Sequence, residues 1–486
     1  YRHPTPMDLS SSTRALECVV FPLPSIPSTA IRKPLLISSQ GSMFTQTDII
    51  AVHAMSHGLS SLPRRWGEIK DPVHGYILLS QLEKDVIDTP EFQRLRRIRQ
   101  LGAAYLTYPG AEHTRFSHSL GVMHIAGMMA ETLVSKGWLE SEDIQTIRVA
   151  ALLHDVGHGP FSHLFEEVLT YKRGLTHEDV GEMVVRESSI SDVLSDHGLD
   201  PRSVSKLAVG KLGERKPYVN QVIASQFSAD TMDFLLRDSY FTGVEYGWVD
   251  VRRLVDSVDV VGDELAMDIT ALAALEAFVV ARYEMFKAVY FHRTVRAAAV
   301  MLVRAMEYAD EELGFTSFSG VDEYMKLDDW YVVSSILSLG ESGRVGVARR
   351  LCEMFMERRL LKCAYEKVLH VGDRFTASLL DWKRRRRLEE EISELSGADR
   401  DYVLVDVSTA PSVPYYATQG RPQDIPVFER TESGKVLRRL SEYSPMVKPL
   451  IGYLDVIRVY AKVDDLERVR KACLRVFSSP PPGFST

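Results

Sequence analysis

The run Ile147-Arg148-Val149-Ala150-Ala151-Leu152-Leu153 is almost wholly apolar and leads straight into His154-Asp155-Val156-Gly157-His158-Gly159-Pro160. A helix that apolar on every side belongs inside a protein rather than on its surface. Its end then carries an imidazole and a carboxylate into the interior, where a charged pair needs a partner. Adjacent side chains diverge by about 100° in mid-helix. At the last turn both can swing toward one cavity, with Gly157 as the expected C-cap. An imidazole beside a carboxylate suits a first-row divalent metal. The competing reading, a polar helix end facing solvent, sits badly with the apolar residues directly before it.

Two side chains cannot fill a coordination sphere, so the other ligands must come from elsewhere. Of 14 histidines, seven fall at positions 113, 118, 124, 154, 158, 163 and 177. An even spread would put about two in that window, and such crowding asks for metal binding or acid–base chemistry. Arg115-Phe116-Ser117-His118 opens a helix on which Arg115 and His118 share a face. His118 is a candidate third ligand, and Arg115 a planar fork for a phosphate. Ser228 is the expected N-cap of a helix over 229–240. That helix would hold Asp230, Phe234, Arg237 and Asp238 in one sector, with Asp230 as a candidate fourth ligand. A salt-bridged surface face is the alternative for this segment alone.

A chain of 486 residues predicts two or three domains. Residues 1–62 are rich in Ser and Pro, show no period, and are expected to form a poorly ordered leader. Residues 63–300 hold the histidine cluster and read as mostly helical, with helices expected over 89–101, 120–136 and 144–155. Residues 301–486 start with helices (294–313 and 344–362 flank or follow the boundary). They end with β-like runs at 402–407 and 456–460 and a helix over 466–477. The 408–426 stretch, with four prolines, reads as a long loop or insertion. The expected fold class is mainly α, with a smaller α+β C-terminal region.

The balance of 58 basic against 66 acidic residues gives −8, which argues against a dedicated nucleic-acid binder. The basic run Lys383-Arg384-Arg385-Arg386-Arg387 is followed by Leu388-Glu389-Glu390-Glu391 and reads as a solvated helix with i,i+4 charge pairs. Cys18, Cys352, Cys363 and Cys473 form no C-x-x-C pair, so neither a thiolate zinc site nor a disulfide framework is expected. A reducing cytoplasm suits that pattern. No membrane helix is expected, because no long apolar run occurs, and the 19–24 stretch makes a poor signal peptide.

The ordered pieces His118, His154-Asp155 and Asp230 resemble the ligand pattern of the HD-domain metal-dependent phosphohydrolases. Further motifs narrow the likeness: Asp71-Pro72-Val73-His74-Gly75, Asp88-Thr89-Pro90-Glu91-Phe92-Gln93-Arg94-Leu95-Arg96, Gln100-Leu101-Gly102, Tyr108-Pro109-Gly110-Ala111, and His113 through Val122. Together they resemble the deoxynucleoside triphosphate triphosphohydrolases of that family over residues 66–300, with a fainter echo at 457–463. The resemblance implies a helical HD core and a divalent transition metal (Fe, Mn, Zn, Co or Ni) on His118, His154, Asp155 and Asp230, with Mg on the nucleotide phosphates. The implied reaction releases intact triphosphate from a dNTP, by attack of a metal-activated water on the α-phosphorus. His163 matches the general acid for the departing 5′-oxygen, a role that suits imidazole. Glu166 matches the carboxylate that orients it, where the animal enzymes have Asp. His158 and His177 match phosphate-facing histidines.

Gln100 and Leu101 match base- and sugar-side contacts, and Asp238 the carboxylate at the 3′-hydroxyl. Thr231 stands where the family has a phosphate-binding lysine, and Phe234 where a tyrosine packs on the sugar. Arg296 falls near the position of the other sugar-side tyrosine. These departures leave open both the exclusion of ribonucleotides and the preference for triphosphates. Asp88, Gln93 and Arg96 match the guanine-reading residues of an activator site between subunits, and Arg253 an activator-phosphate contact. Asp88 is also the expected N-cap of a helix with Pro90 in its first turn. The resemblance therefore implies dNTP substrates, dGTP or GTP as activator and a homo-oligomer (dimer or tetramer), while the acidic balance and the lack of a long apolar run argue against nucleic acid and membrane as partners. Two rivals remain: the same metal site acting on a monophosphate, cyclic nucleotide or guanosine tetraphosphate, and a non-catalytic nucleotide sensor.

Overall fold

A computed structural model describes residues 65–213, 216–369, 378–379, 381–411, 424–450 and 453–478. The leader expected over 1–62 and the middle of the Pro-rich 408–426 stretch lie outside these residues. The described residues are mainly helical, with three small sheets among them.

The helices Arg115–Ser135 and Ser141–Leu153 pack along each other at the centre. Every residue from Ile147 to Leu153 is buried, including Arg148, whose guanidinium is held by Glu83 at 2.5 Å. The second helix stops at Leu153 with His154 as its C-cap, so Gly157 does not play that part. Gly157 supplies space instead. A Cβ there would lie 2.1 Å from the His177 carbonyl and 2.3 Å from the Gly181 nitrogen, because the turn after the His-Asp pair rests on the start of the His177–Glu187 helix.

Upstream, Thr89 rather than Asp88 caps the Pro90–Arg94 helix. Asp88 has right-handed helical backbone and closes the preceding Gln81–Ile87 helix, whereas Thr89 is extended, as an N-cap requires. The helix expected over 89–101 ends at Arg94 and passes into a 3-10 turn, Leu95–Arg97. The Ala229–Thr242 helix is capped by Ser228 as expected and packs on Arg115–Ser135.

The boundary expected at residue 300 falls inside the long Arg293–Leu313 helix, and the described residues form one unit. The sheets show why. Strands β1 (Arg65–Asp71) and β2 (Gly75–Ser80) form an N-terminal hairpin. Strands β3 (Val258–Val261) and β4 (Glu264–Asp268) form a second hairpin, and β7 (Pro426–Thr431) and β8 (Gly434–Arg439) join it in the order β3-β4-β7-β8. The junction is a parallel pairing of Met267 with Val427. A third, antiparallel sheet runs β5-β9-β6, from Lys362–Leu369, Tyr453–Ala461 and Leu404–Pro411. The helices Trp382–Ser396 and Leu466–Ser478 bury Ile392, Val469 and Cys473 against it.

The helix expected over 344–362 stops at Met356: Arg358 turns to a φ of 56° and β5 begins at Lys362. The basic run is not wholly solvated. Arg385 donates to Glu167 at 2.6 Å and Arg386 pairs with Glu307 and Glu389, so two of its cations pin the helix to its neighbours. Among the described residues no helix is long and apolar enough to cross a membrane.

Candidate active site

Ligand atoms of His118, His154 and Asp155 lie within 4.8 Å of one another. Asp230 Oδ1 is 3.0 Å from His118 Nε2 and 3.9 Å from His154 Nε2. His154 Nδ1 lies 2.8 Å from the Ala151 carbonyl and must donate to it, since a carbonyl only accepts. Its buried Nε2 is left without a hydrogen-bond partner, its lone pair facing Asp155 Oδ1 at 3.3 Å. Two electron-rich atoms confronting each other in a buried site are reconciled by a cation between them. Two imidazoles and two carboxylates therefore fit a divalent ion.

Burial would lower the basicity of His118, but hydrogen bonds to Asp230 and Asp233 outweigh it and raise the pKa to about 10 when no ion is bound. Burial would raise Asp155, yet Arg115 at 2.6 Å, with His154 and His158 beside it, holds it well below the carboxylate range. Arg115 is thus partly engaged: its Nη1 braces Asp155 and its Nε donates to Ser162 Oγ at 2.8 Å. It lines the cavity as well, so the residue expected from sequence to meet a phosphate also braces a candidate ligand.

A second group gathers His158, His163 and His177. Glu166 joins them, with Oε2 2.8 Å from His163 Nδ1 and Oε1 2.5 Å from His177 Nδ1. Burial pushes Glu166 up, but these bonds keep it well below its ordinary range and ionised. The His158 and His177 rings stack at 3.9 Å with 13° between their planes. An ion must lie in the plane of each imidazole it binds, and two parallel planes do not meet at an ion. This trio suits a row of phosphate oxygens instead. Burial, Arg115 and His177 hold His158 well below the usual imidazole range, hence neutral. His163 is 65 % exposed.

Both groups open into one cavity of about 620 Å³, lined also by Gln100, Leu101, Thr231, Phe234 and Asp238. Asp238 is held by His113 at 2.7 Å and by the Tyr290 hydroxyl at 2.7 Å. Tyr290, on the π-turn Phe286–Tyr290, stands 6.2 Å from the Phe234 ring. The aromatic residue beside Asp238 is thus Tyr290, six positions before Arg296. Arg296 also lines the cavity, but its guanidinium is fastened to buried Asp406 at 2.6 Å.

Arg282 was not singled out in the sequence, although an arginine within the apolar Leu272–Met285 helix is a visible oddity. It lines the cavity, its buried Nε lacks a hydrogen-bond partner, and burial lowers its pKa only to about 10. It places a cation in the cavity that Thr231 cannot supply.

The Ala229–Thr242 helix divides its work about Asp230. Measured from that residue, Asp233 and Arg237 turn about −60° and −20°, Phe234 and Asp238 about +40° and +80°. The second pair lines the cavity; the first goes behind His118, so Arg237 lies in the sector expected of it but does not reach the cavity.

Asp88 pairs with Lys84 at 2.9 Å, Gln93 donates to the Ile87 carbonyl, and Arg96 donates to Gln93 at 2.8 Å. These three lie together outside the cavity. Arg253 sits on the separate Val251–Ser257 helix and donates to the Thr270 carbonyl; among the described residues no hydrogen bond or ion pair links it to the other three.

Residues 115–224 match the HD domain, and residues 249–482 match the HD associated region. The uncharacterized protein YwfO of Bacillus subtilis is 34 % identical over 406 residues, covering 79 % of this chain and 89 % of that protein. The human deoxynucleoside triphosphate triphosphohydrolase SAMHD1 is 26 % identical over 458 residues, covering 82 % of this chain and 70 % of that protein. A crystal structure of a hypothetical protein from Aquifex aeolicus matches with a TM-score of 0.66 and 29 % identity, over 84 % of this chain and 99 % of that one. His118, His154, Asp155 and the second histidine group fall in the first match, Arg282 and Tyr290 in the second.

Proposed function

Because this chain belongs to the HD-domain family of phosphohydrolases, we propose that it cleaves deoxynucleoside triphosphates to deoxynucleoside and inorganic triphosphate. The observation that carries this reading is a single cavity joining the candidate ligands His154, Asp155 and Asp230, the His158–His163–His177 group, the cation Arg282 and the Asp238–Tyr290 pair. The activity in the name of the human relative supports it.

A divalent ion on His118, His154, Asp155 and Asp230 would supply Lewis acidity and charge screening at the α-phosphate. The chain's own residues do the rest. His177 and Arg282 face the phosphate chain as donors, with neutral His158, its Nε2 turned to Asp155 at 3.2 Å, stacked beside His177. Burial disfavours a proton on His177, but its bond to Glu166 outweighs this and raises its pKa, favouring the charged form. His163, with Nδ1 committed to Glu166, keeps Nε2 for handing a proton to the departing 5′-oxygen. Asp238 retains acceptor capacity for the sugar 3′-hydroxyl beyond its two bonds. Gln100 and Leu101 meet the base and sugar, beside Phe234 and Tyr290. In this reading Mg accompanies the phosphates, and a guanine nucleotide binds Asp88, Gln93 and Arg96 together with Arg253 between subunits. Residues 301–486 serve assembly, and the enzyme works in the cytoplasm.

The test is chromatographic analysis of products from each dNTP with Mn²⁺ or Mg²⁺, with and without dGTP or GTP. Deoxynucleoside and triphosphate are expected, both lost in His154→Ala. Release of orthophosphate or pyrophosphate, or turnover of monophosphates or cyclic nucleotides alone, overturns the reading.

A further inference from the structure

The Asp71-Pro72-Val73-His74-Gly75 motif has no part in the chemistry above, yet the fold carries it to the back of His118. Strand β1 ends at Asp71 and β2 begins at Gly75, whose φ of 77° closes a tight turn. Asp71 Oδ1 accepts the backbone N–H groups of Val73 and His74, both at 2.9 Å, which fixes that turn. Two of its side chains then reach the Ala229–Thr242 helix. Asp71 Oδ2 accepts from Arg237 Nη1 at 2.8 Å, and His74 Nε2 lies 2.6 Å from Asp233 Oδ1. Arg237 also donates to Asp233, from Nε at 2.8 Å and Nη2 at 3.0 Å. Asp233 Oδ2, finally, is 2.7 Å from His118 Nδ1.

No side chain in this chain of contacts is more than 8 % exposed. The space is full: a Cβ on Gly121 would lie 1.8 Å from Asp233 Oδ1 and 2.5 Å from Arg237 Nη2. An ionised carboxylate can only accept, so every nitrogen aimed at Asp233 is a donor. That places a proton on His118 Nδ1 and turns Nε2 toward Asp155 and Asp230, at 3.6 and 3.0 Å. One carboxylate alone could rotate away; donors from three separate elements prevent it.

We propose that Asp71, His74 and Arg237, acting through Asp233, are positioning residues that fix the tautomer and ring orientation of His118 and thereby set the metal affinity of the centre. The N-terminal hairpin, which lies outside the HD match, is then part of the metal centre. The inference rests on His118 being a ligand, and its test needs no nucleotide. The full chain is stripped with a chelator and titrated with Mn²⁺ by calorimetry, as wild type, Asp233→Asn and His74→Gln. Outer partners of ligating histidines change metal affinity by about 10- to 100-fold. Asp233→Asn is expected to lose at least tenfold in Mn²⁺ affinity and His74→Gln several-fold, the latter with its substrate KM unchanged at saturating Mn²⁺. Should Asp233→Asn fail to fold, His74→Gln decides, because a glutamine amide is tolerated in the buried site yet lacks the rigid imidazole that holds the 2.6 Å contact to Asp233. A folded His74→Gln protein with wild-type Mn²⁺ affinity overturns the proposal. A wild type that binds no Mn²⁺ overturns it together with the metal centre. The dNTP reading stands or falls separately, on the product analysis.

Discussion

The carboxylate of Asp329 accepts the backbone N–H of Phe161 at 2.6 Å, tying a C-terminal helix, Asp329–Leu337, to the loop that carries the second histidine group. Its other oxygen takes the Arg99 N–H at 3.1 Å. The loop needs holding, because Phe161 and Ser162, neither of them glycine, take φ values of 54° and 59° just before His163. Such residues cost about 1–3 kcal/mol each and persist only where their surroundings impose them. Arg94, donating to the His158 carbonyl, and Tyr324, donating to the Gly157 carbonyl, complete the restraint.

Asp329→Ala would leave two backbone N–H groups without their acceptor, one of them buried on Phe161. We expect it to lose about 2–4 kcal/mol of stability and to lower kcat while Mn²⁺ affinity holds. Urea unfolding, steady-state kinetics and Mn²⁺ titration on one preparation check this. An unchanged kcat would show that Arg94 and Tyr324 suffice to hold the loop.

Gly157 and Gly181 face each other, but only one is crowded. A Cβ on Gly157 would meet backbone atoms at 2.1 and 2.3 Å, whereas the nearest atom to one on Gly181 is at 3.6 Å. Gly157→Ala should therefore cost at least about 2 kcal/mol and displace His177, while Gly181→Ala should fold and turn over normally. Thermal melts of the two variants side by side distinguish them, and equal melting temperatures would contradict the packing described.

Arg282→Met removes a buried cation of similar length. Loss of a charged hydrogen bond to phosphate is worth about 1.5–3 kcal/mol, so kcat/KM should fall about ten- to a hundredfold. Stability should rise, since the guanidinium Nε has no protein partner to lose. Kinetics and melting temperature moving in opposite directions is the expected signature; a drop in both would mean that Arg282 supports the fold.

Burial, followed by the neighbouring His74 and Arg148, lowers the His124 imidazole from 6.5 to about 4. The unfolded chain then binds a proton that the folded one resists. The stability this group contributes is complete above pH 6.5 and is lost as pH falls toward 4. His124→Gln should flatten that slope, losing less stability than wild type between pH 7.5 and 5 by on the order of 1 kcal/mol. Urea midpoints at both pH values test it, and parallel losses would refute it.

What could be read in the sequence was what is local. His154-Asp155 announces itself by following a buried helix, and His118 and Asp230 each sit in the first turn of a helix with a readable start. Asp233 and Arg237 lie on the same helix as Asp230, but nothing in a single sequence says that a hairpin about 160 residues upstream stands behind them. Tyr290 was missed for a related reason: the likeness to the family put the sugar-side tyrosine near Arg296, and the π-turn that carries Tyr290 has no readable sequence period. The β3-β4-β7-β8 sheet left no trace because its halves come from distant segments, and strand periodicity over so few residues is weak.

The parallel pairing of β4 with β7 also dictates an order of assembly. A chain emerging from the ribosome has every candidate metal ligand in hand once Ala229–Thr242 has been made, but β4 must wait with an open edge until residues near 427 appear. Contacts of such long separation form late and slowly, and an unpaired edge strand is a template for association with other chains. Truncation before β7 is therefore expected to yield a protein that keeps its ligands and aggregates, so nascent chains of this kind depend on chaperones over that interval.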